Sequence, residues 1–155
     1  DLRAGTVLAG LEIAVPSVDV VSVAAGGGGR HLAIRPRIAE ALELVAQIGD
    51  RLHAMIDVSD GLATDAGHLA DAERLSVEIE AARLPADPAL PWQHVVGAGE
   101  EHELAFACAG EPPVSVAGTR VTVVGRFVPR AEARCTVLVG GARHDASNLG
   151  WEHGR

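Results

Sequence analysis

The chain has 155 residues and 48% hydrophobic content, which is enough for the core of one domain. A formal net charge of −8 argues against an electrostatic nucleic-acid binder, and no apolar stretch reaches the about 20 residues of a membrane span. All 13 basic residues are arginine, which excludes a P-loop lysine and a lysine Schiff base. We expect a cytoplasmic protein without nucleic-acid or membrane partners.

The N-terminal part of the sequence carries few structural signals. Residues 6–15 are apolar and fit a strand or a short helix, whereas the β-branched residues 18–24 predict a strand. The four glycines at 26–29 are typical of a linker; a phosphate-binding loop is the alternative, but no helix follows them directly. We therefore predict N-terminal strands and a glycine linker over residues 1–29, and a C-terminal domain over residues 30–155.

A helix is predicted from residue 36 onward, because proline is favoured in a first helical turn. Its apolar residues recur at helical spacing and are expected to form the buried face: Ile38, Leu42, Val45 and Ile48. Two arginines near its start, Arg35 and Arg37, have two interpretations. They contact a phosphate, or they are solvated side chains at a helix start.

The run from Met55 to Leu62 turns an apolar strand abruptly into a helix. Residues 54–58 predict a buried strand, and apolar residues at helical spacing follow through about residue 70. Asp57, Ser59 and Asp60 therefore stand at a strand end, next to a helix N-terminus, where hard cations and phosphates bind. Gly61 allows a tight turn. The alternative is that Asp60 or Ser59 only caps the helix.

Strands outnumber helices in the second half of the chain. Val77 and Ile79 alternate with two glutamates as a half-exposed strand, and residues 104–109, 120–128 and 135–139 are further strand candidates. Residues 84–91 predict a proline-broken loop, and residues 142–155 a polar tail. We predict an α/β fold with a mixed β-sheet and helices packed on one face.

Four segments resemble the motifs of thiamine-monophosphate kinases, which belong to the aminoimidazole ribonucleotide synthetase-like superfamily. Residues 57–69 are similar to the family's Asp-x-Ser-Asp-Gly-Leu signature, and His31-Leu32 with Pro36-Arg37-Ile38 to its proline-arginine segment. Residues 98–104 resemble Gly-Gly-Glu-Asp-Tyr-Glu-Leu, and residues 150–153 resemble Gly-Trp-Asp-His. The sequence departs from these motifs at the following positions: Ala98, Glu101, His102, Glu152 and Gly154.

The resemblance implies a phosphotransferase that uses ATP and Mg²⁺ to convert thiamine phosphate to thiamine diphosphate. It implies catalytic roles for Asp57 and Asp60, and nucleotide contacts for Ser59 and Gly61. Metal ligands would be Asp57, Ser59 and Asp60. Substrate contacts would be Glu100, Glu101 and Trp151, with the tryptophan ring stacking on the thiamine heterocycle.

The family has a further N-terminal domain that builds a homodimer, so this chain corresponds to a C-terminal domain and is expected to be inactive alone. Two other functions remain open. One is an aminoimidazole ribonucleotide synthetase-like ATP-dependent enzyme with another substrate, and the other is a non-catalytic dimerisation or regulatory domain. Within the motifs, His102 is a metal ligand, a general base or a structural residue, and Trp151 alternatively anchors the tail. Cys108 is expected to be a reduced core residue.

Overall fold

The computed structural model describes residues 12–16, 36–99 and 103–151, with the backbone alone over 12–16. The strands are β1 (Glu12–Pro16), β2 (Leu52–Val58), β3 (Leu75–Glu80), β4 (Glu103–Cys108), β5 (Ser115–Val116), β6 (Thr119–Pro129), β7 (Cys135–Val139) and β8 (Ala142–Asp145). The α-helices are α1 (Ile38–Ile48), α2 (Leu62–Ala72) and α3 (Trp92–Gly97). None of these helices combines the length and the hydropathy that a bilayer crossing requires.

The strands form a mixed sheet in the order β2-β4-β1-β6-β3-β7-β8, and β5 pairs with β6 beside this path. The pairing of β3 with β7 is parallel, while β2–β4, β1–β4, β1–β6, β3–β6 and β7–β8 are antiparallel. The four strand candidates centred on β2, β4, β6 and β7 lie close to their predicted bounds. The predicted α/β fold with a mixed sheet is therefore confirmed.

Strand β4 is buried on both sides, because its alternating residues belong to two separate cores. Ala105 and Ala107 pack in the larger core with α2, whereas Phe106 and Cys108 pack in the smaller core with Leu44 of α1. Successive side chains of a strand point to opposite faces of a sheet. Helix α1 therefore lies on the opposite face from α2, rather than on the single helical face that the sequence predicted. Cys108 is a free, buried thiol, as expected.

Helix α1 buries a different side from the one predicted. Three of its expected core residues are more than half exposed: Ile38 (66%), Leu42 (68%) and Val45 (52%). The fourth, Ile48, is buried as predicted, and it lies with Glu40 and Leu44 on the side that faces the sheet. Glu40 is tolerated there because its Oε1 accepts hydrogen bonds from Arg37 at 2.9 Å and from Thr119 at 3.1 Å. These polar partners satisfy the carboxylate and allow Glu40 to lie on the side that faces the sheet.

Strand β3 is buried rather than half-exposed. Glu78 is only 7% exposed, although a carboxylate alternating with apolar residues predicts a solvated face. Arg126 donates to its Oε2 at 3.1 Å and Arg143 donates to its Oε1 at 2.6 Å. The two guanidinium groups cover the carboxylate and satisfy it, so that this position of the sheet tolerates a charge.

The predicted polar tail begins with an edge strand. Gly140 and Gly141 have φ angles of +56° and +87°, and they join β7 to β8 in a two-residue hairpin. Consecutive residues with positive φ are typical of the tight turns that match the twist of paired strands. The polar tail predicted from residue 142 thus contains a strand, β8, that the sequence analysis did not predict, and Gly-Gly was the signal for the hairpin.

Strand β1 lies in the middle of the sheet, between β4 and β6. It resolves the two alternatives for residues 6–15 in favour of a strand over Glu12–Pro16. The predicted strand at 18–24 and the glycine linker at 26–29 lie outside the described residues. The division of the chain at residue 29 stays a prediction.

Candidate functional site

The predicted strand–turn–helix is present, and residues 57–60, here called the acidic turn, comprise the last two residues of β2 and the two that lead towards α2. The Asp57 side chain is exposed, while Ser59 and Asp60 are half-buried. The N-cap of α2 is Gly61, with a φ of +111° that L side chains rarely adopt. Neither Ser59 nor Asp60 occupies the N-cap position of α2.

Asp65, in the first turn of α2, supports the acidic turn from within the protein. It is only 3% exposed, and its Oδ2 atom accepts the backbone N–H of Ser59 at 2.9 Å and that of Asp60 at 3.0 Å. Burial raises the pKa of the Asp65 carboxyl, and the two backbone hydrogen bonds only partly offset that rise. The two backbone N–H groups are therefore satisfied within the protein.

The segment before β4 lies directly against the acidic turn. Val58 at the end of β2 is the register partner of Glu103, so the start of β4 lies beside the turn. A Cβ atom added to Gly99 would stand 2.6 Å from the carbonyl oxygen of Ser59, closer than real Cβ contacts. Only glycine permits this approach. The resemblance placed residues 98–104 and the acidic turn in separate motifs, and the structure brings their backbones into contact.

The C-terminal motif reaches the acidic turn as well. Trp151 donates its backbone N–H to the carbonyl oxygen of Asp60 at 2.9 Å, and the Thr64 hydroxyl donates to the Leu149 carbonyl at 2.8 Å. A side chain on Gly150 would overlap both Asp60 and Thr64. Trp151 itself is 67% exposed, so the segment is held by its backbone and not by packing of the indole ring.

Arg37 connects the proline-arginine segment, the fourth motif, to β4. Its side chain is only 11% exposed, and it donates through Nη1 to Glu40 at 2.9 Å and through Nη2 to Glu103. The solvated interpretation of Arg37 is therefore wrong, and its charge is used for ion pairs within the protein rather than for a phosphate. The ion pair joins the proline-arginine segment to the strand that begins beside Val58.

The oxygen donors of the acidic turn fit a hard cation. Asp57, Ser59 and Asp60 offer carboxylate and hydroxyl oxygens, the ligands that Mg²⁺ prefers, and exposed Asp57 is open to the solvent from which an ion arrives. Ligand atoms of Asp60, Asp65 and His68 also lie within 4.8 Å of one another. Sequence reasoning gave no role to Asp65 or His68, although their spacing of three places them on one side of α2.

Several residues singled out from the sequence lie outside the described residues. Among these are the substrate candidates Glu100 and Glu101; the others are His31, Leu32, Arg35, His102, Glu152 and His153. Of the predicted site residues, the structure brings together Asp57, Ser59, Asp60, Gly61 and the backbone of Trp151. The roles assigned to all of these residues stay predictions.

Comparison with known proteins agrees with the motifs. The sequence profile of the family described as "AIR synthase related protein, C-terminal domain" matches residues 10–137. Thiamine-monophosphate kinase from Rhodopirellula baltica is 35% identical over 71% of this chain and 39% of its own length. The Mycobacterium tuberculosis enzyme (strain CDC 1551 / Oshkosh) is 34% identical over 79% of this chain and 37% of its own.

The fold is also that of a solved relative. The structure described as "AaThiL complexed with AMPPCP and TMP" superimposes with a TM-score of 0.62 over 94% of this chain and 52% of that chain, at 22% identity. This chain spans about two fifths of the length of the curated relatives it matches. The resemblance to thiamine-monophosphate kinases is thus confirmed, and the chain belongs to the family of AIR synthase related proteins as its C-terminal domain.

Proposed function

We propose that this chain is the C-terminal part of a kinase that transfers the γ-phosphoryl group of ATP to thiamine phosphate. Its curated relatives are thiamine-monophosphate kinases, and the solved structure with the same fold is described as a complex with AMPPCP and TMP. The acceptor is already a phosphate and needs no strong general base. A site built from carboxylates and metal ions suits that chemistry, because phosphoryl transfer depends mainly on positioning and charge neutralisation.

The observation that carries the proposal is that two other family motifs converge on Ser59 and Asp60, which Asp65 of their own motif also contacts. Asp65 binds their N–H groups, Gly99 abuts the Ser59 carbonyl, and Trp151 binds the Asp60 carbonyl. The contacts of Gly99 and Trp151 come from segments that are distant in the sequence, whereas Asp65 lies in the first turn of the following helix. A turn that only connected a strand to a helix would not need to be fixed from three directions.

The side chains of the turn then have distinct roles. Asp57 and Asp60 would hold Mg²⁺, with Ser59 contributing its hydroxyl to the metal or to a phosphate oxygen. The metal ion neutralises phosphate charge when it is bound. Gly61 would contact the nucleotide phosphates through its backbone, and a side chain there would meet the backbone of Gly97 at 3.0 Å.

The substrate would bind at the ends of the two motifs that flank the acidic turn. Glu100 and Glu101 follow Gly99 directly in the sequence, and Trp151 is exposed while its backbone is fixed to Asp60. An exposed indole ring held by its backbone is suited to stacking on a flat heterocycle. We assign thiamine phosphate to this side of the turn and the ATP phosphates to the metal side.

The activity belongs to the full-length kinase that we propose contains this chain, since the relatives are more than twice as long. The proposal includes a cytoplasmic homodimer, formed through the additional domain. The alternative of a non-catalytic domain predicts the same fold without turnover, and an enzyme with another substrate predicts ATP use without thiamine diphosphate.

The test is to incubate the full-length kinase with MgATP and thiamine phosphate and to measure thiamine diphosphate by chromatography. We expect product that depends on Mg²⁺, and no product from the 155-residue chain alone. Isothermal titration with each ligand accompanies the assay. A full-length protein that binds neither thiamine phosphate nor MgATP would contradict the proposed function.

A further inference from the structure

The carboxylate of Asp65 has an unusual position for a charged group. It is 3% exposed and lies among the buried residues at the start of α2. Burying a carboxylate is costly unless its oxygens are satisfied by hydrogen bonds. Here a single atom, Oδ2, receives the N–H groups of two consecutive residues, Ser59 and Asp60. The buried carboxylate of Asp65 therefore holds the backbone of Ser59 and Asp60 in place.

The piece of backbone that Asp65 holds is the part of the acidic turn that carries its polar side chains. Asp60 is bonded at both ends of its backbone, through its N–H to Asp65 and through its carbonyl to Trp151. Ser59 is bonded through its N–H to Asp65, and its carbonyl is confined by Gly99. Asp65 is the only side chain among these contacts, so it is the part of the support that substitution can alter selectively.

We propose that Asp65 is a positioning residue, whose carboxylate oxygen fixes the backbone of Ser59 and Asp60 so that their side chains are oriented before metal and nucleotide arrive. This role rests on the proposed function of the acidic turn. Oriented ligands lose little freedom when they bind, which is why sites held within a narrow geometry bind and react more efficiently. Asp65 acts through two backbone N–H groups and does not itself have to touch a ligand.

A competing role for Asp65 is that of a charged metal ligand in the group with Asp60 and His68. The two roles make opposite demands on the side chain. Positioning needs an oxygen at the place of Oδ2 and no negative charge, whereas a metal ligand needs the charge. Asp65→Asn keeps an acceptor oxygen and removes the charge. Asp65→Glu keeps the charge and displaces the oxygen by one methylene group.

The first measurement is amide hydrogen exchange at Ser59 and Asp60 by NMR on the 155-residue chain, which requires no catalytic activity. We expect Asp65→Asn to preserve protection of both amides within about threefold. In the Asp65→Glu variant, the amide hydrogens of these two residues should exchange about 10- to 100-fold faster, as expected for lost hydrogen bonds to a charged acceptor. Amides of β6 and β7 serve as the internal control for global stability.

The second measurement is the steady-state kinetics of the full-length kinase. Positioning predicts that Asp65→Glu lowers kcat more than Asp65→Asn does, with the KM for thiamine phosphate unchanged in both. The opposite order, with Asp65→Asn the more impaired, would overturn the proposal in favour of a charge or ligand role. Equal protection of both amides in wild type and Asp65→Glu would overturn it as well.

The two measurements separate this inference from the proposed function. A wild-type protein without kinase activity contradicts the proposed function, but the exchange data still decide whether Asp65 holds the turn. Should Asp65→Glu not fold, Asp65→Asn alone decides, because loss of amide protection in that folded variant refutes a role that depends only on the acceptor oxygen.

Discussion

Replacing Gly99 with alanine should push the acidic turn out of place. The new Cβ would stand 2.6 Å from the Ser59 carbonyl oxygen, about 0.8 Å short of the 3.4 Å at which ordinary contact begins. The obstacle is backbone and cannot rotate away. Overpacking of this kind costs about 1–3 kcal/mol of unfolding free energy. In a chain of this size, that corresponds to a drop of about 2–12 °C in melting temperature.

The matched control is Gly97→Ala, two residues earlier on the same segment. A Cβ at Gly97 would find its nearest neighbouring atom at 3.4 Å, so it fits without displacement. Thermal unfolding followed by circular dichroism compares the two variants with the wild type, and the kinase assay on the full-length protein reports the effect on the turn. Equal melting temperatures and equal turnover for the two variants would show that Gly99 does not press on Ser59.

Two further predictions concern Trp151 and Glu78. Trp151→Ala should weaken thiamine phosphate binding by about 5- to 150-fold in titrations, because stacking on an aromatic ring contributes about 1–3 kcal/mol. The affinity for ATP should not change. A lowered melting point with unchanged thiamine phosphate affinity would instead assign the ring to anchoring the tail. Although burial raises the pKa of Glu78, hydrogen bonds from Arg143 and Arg126 outweigh it and leave that pKa lowered. Its stabilisation is therefore present above the usual value of 4.5 and is lost as the pH falls below it. From about pH 5 to about pH 3, the melting temperature of the wild type should fall more than that of Glu78→Gln, and parallel profiles would refute the role of this ion pair.

The local sequence pattern was sufficient to predict the strand–turn–helix at the acidic turn. The apolar run of β2, the Ser-Asp-Gly sequence and the helical spacing after it are all read within about fifteen residues, and each agrees with the others. The same holds for β4, β6 and β7, whose apolar runs are bounded by polar residues. In these segments, the local preference and the tertiary structure point to the same element.

Long-range partners explain where local pattern failed. The spacing of Ile38 and Leu42 predicted a face of α1 that is exposed, whereas Glu40 is buried with hydrogen bonds from Arg37, three residues earlier, and from the distant Thr119 on β6. Burial of Glu78 likewise depends on Arg126 and Arg143, which are more than forty residues away in the sequence. Such polar pairs between distant segments carry no periodic signal.

In the candidate site, too, the sequence identified residues but not the long-range contacts between them. Family motifs identified Asp57, Ser59, Asp60 and Trp151, but they did not indicate that the segments meet through backbone contacts. Those contacts follow from the antiparallel register of β2 with β4 and from the course of the chain after β8. Asp65 was read only as part of a helix, since its role depends on where its oxygen lies and not on its residue type.

Turnover of the full-length kinase carrying both Asp57→Asn and Asp60→Asn decides whether the acidic turn is the site of phosphoryl transfer. Asp50→Asn is the control, because Asp50 is an exposed aspartate in the 3₁₀ turn that precedes β2, at the other end of that strand. We expect the double variant to fold like the wild type by circular dichroism and to lose MgATP-dependent formation of thiamine diphosphate, while the control retains it. Wild-type turnover in the folded double variant would contradict the assignment of the acidic turn to the reaction.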